Sequence, residues 1–289
     1  MTGQKIDGIA VANVVKERVR GAVNALQSEG VTPCLATVLV GENPASAIYV
    51  KNKQKACTEV GITTKDHELP ESFSQQEMNS LIDLLNNDNT VHGILVQLPL
   101  PKQLDEFATI SRISPIKDVD GLTPYNVGLL STGRAILKPC TPSGIMEIFD
   151  YYNIDLTGKH AVIVNRSNLV GRPLYNLLLE KNVTVTTCHS KTQNLKEHCQ
   201  KADVIITAVG DRTKFVLTAD MIKDGAIVID VGISRQNSKL VGDADYDSII
   251  KKASYATPVP GGVGPMTVAM LLKNTVTAAS INKGFGSSS

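Results

Sequence analysis

Apolar and polar positions recur along the chain with two periods, and the switches between them mark out the elements. From Ile6 to Gly30, Ile9, Val11, Val14, Val15, Val19 and Val23 return at roughly helical spacing, with Lys16, Glu17, Arg18 and Arg20 between them. Cys34 to Val40 is a strand-like apolar run, and Gly41-Glu42-Asn43-Pro44 turns it into a helix. Pro44 suits a first helical position and Gly61 suits the residue that closes the helix. Ile62 to Leu69 can form a strand, and Ser74-Gln75-Gln76-Glu77 has the capping-box pattern of a helix running to about Asn87. Gly93 to Leu98 is an apolar run of strand length, broken by Pro99. Such alternation of strand and helix predicts a largely parallel sheet covered on both faces.

Between Pro115 and Pro142 the texture changes. Pro115, Gly121, Pro124, Gly128, Gly133, Pro139 and Pro142 predict loops, and Lys117-Asp118-Val119-Asp120-Gly121 lies among them. Thr141-Pro142 reads as the cap and first position of a helix to about Tyr152. A second alternation follows: strands over 160–164, 183–187, 204–208 and 226–231, with helices over about 171–181 and 194–201. Thr257 to Pro265 holds too many prolines and glycines for regular structure. A last helix, Met266 to about Asn282, carries Val268, Leu271, Leu272, Val276 and Ala279 on its apolar face. The predicted fold is α/β, with two lobes. Residues 1–140 form the first, to which the helix 266–283 returns, 141–265 form a Rossmann-like second, and 284–289 are a flexible tail.

Composition narrows the function. With 29 Lys and Arg against 28 Asp and Glu, the net charge of +1 offers no reason to invoke nucleic acid or an anionic membrane. Five cysteines, odd in number and without C-x-x-C spacing, suit reduced thiols. His189, His198 and Cys199 fit no zinc signature, so no metal is expected. No apolar run is long enough to span a membrane and no signal-like segment opens the chain, so a soluble cytoplasmic protein is expected.

Two stretches carry candidate chemistry. In the helix after Pro44, Tyr49 and Lys53 are i and i+4 on one face, while Lys51 and Lys55 form a second such pair turned well away. Spacing does not choose between them. In the second lobe, Val164-Asn165-Arg166-Ser167 through Gly171 is the strand–turn–helix at which a doubly wound fold meets a pyrophosphate, although G-x-G-x-x-G is absent. The next strand runs into Cys188-His189-Ser190-Lys191 with no acid to accept ribose hydroxyls. Arg166, Ser190 and Lys191 offer donors instead, which favours NADP over NAD. The alternative is that these cations are solvated loop charges.

Taken together, several stretches resemble one family, the methylenetetrahydrofolate dehydrogenase/methenyltetrahydrofolate cyclohydrolases. They are Tyr49-Val-Lys-Asn-Lys53, Gly93 to Pro101, Lys117 to Gly121, Pro139-Cys-Thr-Pro142, Arg166 to Pro173, Thr187 to Thr192 and Pro258 to Thr267. The resemblance covers nearly the whole chain, without the formyl-ligase domain of some relatives. It implies an active site in a cleft between the lobes. Lys53 would be the general acid/base of the cyclohydrolase step, hydrogen-bonded to Gln97, with Tyr49 lining the folate site and Asp120 holding the pterin ring. Such roles make physical sense. A partly desolvated lysine near other donors can lose its proton near neutral pH, and a carboxylate can accept two N–H bonds from an amino-pyrimidinone edge.

The substrate positions implied are Tyr49, Gln97, Leu98, Pro99, Asp120, Pro260, Gly261 and Gly262. The cofactor positions are Thr141, Asn165, Arg166, Ser167, Ser190, Ala208, Val209, Gly210, Gly232, Ile233 and Thr267. A homodimer through the second lobe is also implied. One departure stands out: the family usually has glycine where this chain has Asn165, whose side chain takes space near the cofactor. The implied chemistry is oxidation of 5,10-methylenetetrahydrofolate to the methenyl cation with NADP, then hydrolysis to 10-formyltetrahydrofolate. Two other readings are a shikimate-dehydrogenase-like two-lobed oxidoreductase and a non-catalytic folate- or nucleotide-binding regulator.

Overall fold

The structure, a computed structural model, describes residues 3–236 and 239–286. Strand β1 (Gln4–Lys5) leads into helix α1 (Gly8–Ser28), then β2 (Cys34–Val40), α2 (Pro44–Val60), β3 (Thr63–Leu69), α3 (Gln75–Asn87) and β4 (Gly93–Val96). Helices α4 (Glu106–Ser111), α5 (Pro124–Ser131) and α6 (Cys140–Tyr151) follow. Then come β5 (His160–Val164), α7 (Gly171–Glu180), β6 (Thr184–Cys188), α8 (Leu195–Gln200), β7 (Val204–Thr207) and β8 (Ile227–Asp230). A hairpin of β9 (Ser234–Gln236) and β10 (Lys239–Val241), a short α9 (Tyr246–Ile249), β11 (Tyr255–Ala256) and α10 (Val263–Gly286) complete the chain.

The chain divides into two compact units. The amino-terminal unit is Asn13–Cys140 with Val268–Ser289, and the central unit is Met1–Ala12 with Thr141–Thr267. Residues 1–12 therefore group with the central unit, not with the lobe to which the sequence assigned them. The reason is β1, which pairs in parallel with β11, Gln4 opposite Tyr255 and Lys5 opposite Ala256. Two residues are too few to show a strand period in sequence.

In the amino-terminal unit the parallel sheet has the order β3-β2-β4. Its central strand, Cys-Leu-Ala-Thr-Val-Leu-Val, is buried along its whole length, as expected of a strand covered on both faces. Ala36, Val38, Ile94 and Val96 pack with Met78, Ile82 and Leu85 of α3. That helix starts at the expected Ser74, whose capping box with Glu77 is complete. The proline- and glycine-rich stretch before Pro142 is not all loop: Thr123 caps α5 and Pro124 takes its first turn, whereas α6 already begins at Cys140, so Thr141 lies inside that helix and does not cap it.

The central unit holds a six-stranded parallel sheet, β1-β11-β8-β7-β5-β6. Its four longer strands coincide with the apolar runs read from sequence, and β1 and β11 extend it at one edge. At the carboxyl end, α10 continues to Gly286, so 284–286 are helical where a flexible tail was expected, and 287–289 lie outside the described residues. Among the described residues no helix is long and apolar enough to cross a membrane.

Candidate functional site

The carboxyl ends of β2 and β4 organise the amino-terminal unit's site. Gly41 follows β2 with φ 79° and turns the chain into α2. Three turns along α2, the Lys53 ammonium donates to Gln97 Oε1 at 3.1 Å. Gln97 continues β4: its N–H donates to Val38 O at 2.9 Å, and its Nε2 donates to Leu98 O at 2.7 Å. Because the amide nitrogen is committed to a carbonyl, the amide oxygen is the end that faces Lys53. Tyr49 is one turn before Lys53 and 44% exposed, while Lys51 and Lys55 are exposed. The two lysine pairs, equal in spacing, differ in that Lys53 alone of the three bonds to the end of a sheet strand. Leu98 and Pro99 follow across a cis peptide, with Pro99 exposed.

Asp120 reaches the same strand end by a side route. The Lys117–Gly121 segment runs parallel to β4, with Ile94 N–H donating to Lys117 O at 2.8 Å and Ile94 bridged to Asp118. Its charged residues then separate by role. The Lys117 ammonium, 5% exposed, donates to the carbonyls of Leu85, Asn86 and Asp88 at 3.0, 2.8 and 2.8 Å, closing the end of α3. Asp118, 1% exposed, accepts from Leu122 N, Thr123 N and Asn126 Nδ2 at 3.1, 2.7 and 2.9 Å. Only Asp120 remains partly open. Burial pushes its carboxyl above the usual range. The Lys53 charge opposes that rise, Asp118 adds to it, and the Cys140 thiol opposes it through a hydrogen bond.

The loop is held from behind. Gly121 has φ 67°, and a Cβ there would lie 2.7 Å from Lys138 C and Pro139 N. Asn274 of α10 donates to Val119 O and Lys138 O at 2.8 and 2.9 Å, tying both strands of the loop together. Sequence reading missed Asn274, although a lone amide on the apolar face of α10 is the available signal.

In the central unit a pocket of about 390 Å³ opens at the carboxyl ends of β5 and β6. Val164, Asn165, Arg166, Ser167, His189, Ser190, Leu195, Val209, Lys214 and Phe215 line it. These include five of the expected cofactor positions and no carboxylate. Lys191, also offered by the sequence, does not line it. The second cation is Lys214, which pairs with Asp211 at 2.7 Å and had no recognisable motif around it. Two cations and two hydroxyls without an acid fit a phosphate-bearing ribose better than a bare diol.

Asn165 is used within the fold. Its Nδ2 donates to Ala208 O at 2.6 Å, and its Oδ1 accepts from Ser167 N and Gly171 N at 2.7 and 3.1 Å. The side chain thus closes the turn from β5 into α7 and ties it to the end of β7, rather than projecting freely. Gly171 is required by this packing, since a Cβ would fall 2.3 Å from Asn165 O.

The remaining expected positions fall in the same unit. Thr141 and Thr267 share a hydroxyl hydrogen bond of 2.8 Å. Pro260 follows a cis peptide, Gly261 has φ 96° and accepts from Gly8 N–H at 3.0 Å, and a Cβ on Gly262 would meet Pro258 O at 2.5 Å. Ala208, Val209 and Gly210 follow β7, and Gly232 and Ile233 follow β8, so both loops leave the carboxyl edge of the sheet, where parallel α/β sheets bind ligands. Among the described residues no group of three or more His, Cys, Asp or Glu could hold a metal ion.

Two family models match the chain. Residues 6–120 match the tetrahydrofolate dehydrogenase/cyclohydrolase catalytic domain, and residues 139–283 match the NAD(P)-binding domain of the same family. The bifunctional protein FolD of Nitrosopumilus maritimus is 69% identical over 286 residues, covering 99% of this chain and all of that one. The bifunctional methylenetetrahydrofolate dehydrogenase/cyclohydrolase of Campylobacter jejuni is 49% identical with a TM-score of 0.93, covering 96% of this chain and 99% of that one. The Trypanosoma brucei enzyme, solved with NADP cofactor and inhibitor, is 37% identical with a TM-score of 0.92, covering 97% and 98%. With both models matched in order and relatives this similar along its length, the chain belongs to the tetrahydrofolate dehydrogenase/cyclohydrolase family.

Proposed function

We propose that Lys53 is the proton-moving group of an NADP-dependent methylenetetrahydrofolate dehydrogenase and methenyltetrahydrofolate cyclohydrolase, with Asp120 holding the pterin and Arg166 the 2′-phosphate. The observation that carries this reading is the Lys53–Gln97 hydrogen bond at the end of β4, with Asp120 within reach of the Lys53 charge. In the amino-terminal unit, Asp120 offers two acceptor oxygens for an amino-pyrimidinone edge, and Tyr49 offers an exposed ring beside Lys53. NADP supplies the hydride acceptor for the first step. Nitrogen lone pairs stabilise the methenyl cation that results, so that step needs placement rather than a base.

The second step needs proton transfer. Water adds to the cationic carbon and gives up one proton by way of Lys53 Nζ. The carbon–nitrogen bond at the bridge then breaks as Lys53 Nζ gives a proton to the departing nitrogen, and the remaining hydroxyl proton is released to solvent as the formyl C=O forms. Gln97 holds that Nζ without adding charge. In the central unit, Arg166, Ser167, Ser190 and Lys214 present donors for the phosphate-bearing ribose. Shikimate-type reduction is not favoured, because both family models name folate chemistry. A homodimer through the central unit and a cytoplasmic location belong to the same reading and are supported by the resemblance; sedimentation of the purified protein tests the first.

The deciding assay supplies purified protein with methylenetetrahydrofolate and either NADP or NAD, following the methenyl intermediate and the reduced cofactor separately. Both products should form with NADP, and the methenyl intermediate should then decay faster than without enzyme. Folate binding without any cofactor reduction would instead support the regulator reading.

A further inference from the structure

Two buried carboxylates lie behind the loops that leave β7 and β8, and neither belongs to the machinery described above. Asp243 is 0% exposed and Asp230 is 2% exposed. Asp243 accepts from Val209 N at 2.6 Å and Gly210 N at 2.9 Å, one on each carboxylate oxygen. Asp230 accepts from Gly232 N and Asp243 N at 3.0 Å on one oxygen, and from Ala244 N at 2.7 Å on the other. Arg212 closes the assembly by donating to Gly242 O and Ala244 O at 2.8 and 3.1 Å. Three separate stretches of backbone, 208–212, 230–233 and 242–244, are thereby fastened together by three side chains.

The packing leaves no slack. A Cβ on Gly232 would fall 2.2 Å from the Asp243 carboxyl, and one on Gly242 would fall 2.0 Å from Asp230 Oδ2. Neither glycine has a positive φ, so close approach of a carboxylate, rather than backbone conformation, is what excludes a side chain at each. Placing two acids side by side in the interior is unfavourable: burial pushes Asp230 up to about 6, against the pull of the backbone amides, and Asp243 adds to the rise. Asp243 is raised by burial as well, its amide partners and Arg212 opposing and Asp211 adding. An uncharged core of the same volume would avoid this desolvation. What the carboxylates provide is directional: paired acceptors that set successive N–H groups of a loop in one orientation.

We propose that Asp243 and Asp230 are positioning residues for the dinucleotide, holding the Ala208–Gly210 and Gly232–Ile233 loops in their binding conformation before any ligand arrives. This rests on the reading of the Arg166 pocket as the phosphate-bearing end of the cofactor site. In the sheet order β8-β7-β5-β6, that pocket sits at β5 and β6, so a dinucleotide anchored there runs along the carboxyl edge toward β7 and β8. Apart from Val209, which lines the pocket itself, the two loops therefore meet its far half, while a fragment ending at the adenosine phosphates contacts mainly the pocket.

The test compares the parent chain with Asp243→Asn, which replaces one acceptor oxygen by an NH₂ facing a backbone N–H. Titration with 2′,5′-ADP and with NADP reads the two halves of the site. The expected result is 2′,5′-ADP affinity within about twofold of the parent and NADP affinity at least about tenfold weaker, a split that general loss of folding does not produce. Equal affinity of parent and variant for NADP overturns the proposal. A second measurement does not depend on the variant folding. In the unliganded parent, the amide hydrogens of Val209, Gly210, Gly232 and Ala244 should exchange as slowly as those of β7. Fast exchange that slows only when NADP is added would show loops ordered by the ligand, and would equally overturn it. If the parent binds no 2′,5′-ADP, the cofactor reading fails, and the exchange measurement still decides whether the carboxylates hold the loops.

Discussion

Replacing Lys53 by methionine keeps the bulk of the α2 side chain and removes its proton. In the structure the ammonium makes one side-chain hydrogen bond, to Gln97 at 3.1 Å, and sits where its charge opposes the rise of the Asp120 carboxyl. Two consequences of different size follow. General acid/base catalysis is worth roughly 10² to 10⁴ in rate, or about 3 to 5 kcal/mol, and the cyclohydrolase step should fall by that factor. Dehydrogenation moves no proton through Lys53, so its kcat should stay within about tenfold of the parent. The lost charge also lets burial carry Asp120 further upward, so the KM for folate should rise, and rise more as the pH is lowered.

The assay is a pair of progress curves on purified protein, one for decay of methenyltetrahydrofolate and one for NADPH formation from methylenetetrahydrofolate. A variant that hydrolysed the methenyl compound at the parental rate would refute the assignment of Lys53. A variant that lost both activities equally would show Lys53 to be a folate-binding group rather than a proton carrier.

Arg166→Ala should raise the KM for NADP by about 10- to 100-fold, the worth of a charge-assisted hydrogen bond, and that for NAD by less than about threefold; equal effects would remove the 2′-phosphate role. Asp120→Ala should weaken folate in both activities by about 10-fold or more, read as KM with kcat less affected. Lys117→Met leaves three helix-end carbonyls without their donor while relieving the burial that lowers the lysine's own pKa, for a net loss of about 2 to 3 kcal/mol. A thermal melt should show it as a drop of several degrees. Asp230, raised from 3.8 to about 6, binds its proton more tightly when folded, so its contribution to stability is full below about pH 4 and is lost as pH rises through 6. That difference amounts to roughly 3 kcal/mol. Relative to that of Asp230→Asn, the parent's urea midpoint should therefore fall as pH rises from about 4 through 6, and parallel curves would contradict the buried-acid assignment.

Much of the fold was legible in the chain because it is encoded locally. The unbroken burial of β2 follows from its apolar run, α3 starts where Ser74 and Glu77 can bond to each other's backbone, and α2 lies between Pro44 and a Gly61 with φ 86°. Each of these depends on residues within a few positions of one another, and periodicity and capping report on that range. The resemblance added the identity of the chemistry on the same terms, through short motifs.

What local pattern did not contain, the tertiary structure decided. The Tyr49–Lys53 and Lys51–Lys55 pairs have the same spacing on opposite faces of the helix, and only a partner 44 positions from Lys53, Gln97, distinguishes them. In Lys117-Asp118-Val119-Asp120, sequence shows three charges in four residues. Packing takes Lys117 and Asp118 for the backbone of α3 and α5 and leaves Asp120 partly open. β1 is two residues long and exists because β11 offers it an edge. Lys214 joins Arg166, and Asp243 reaches Val209, only because the parallel sheet brings the carboxyl ends of successive strands together. A carboxylate's role is set by which donors surround it, and those donors are gathered by the fold from segments that the sequence keeps apart.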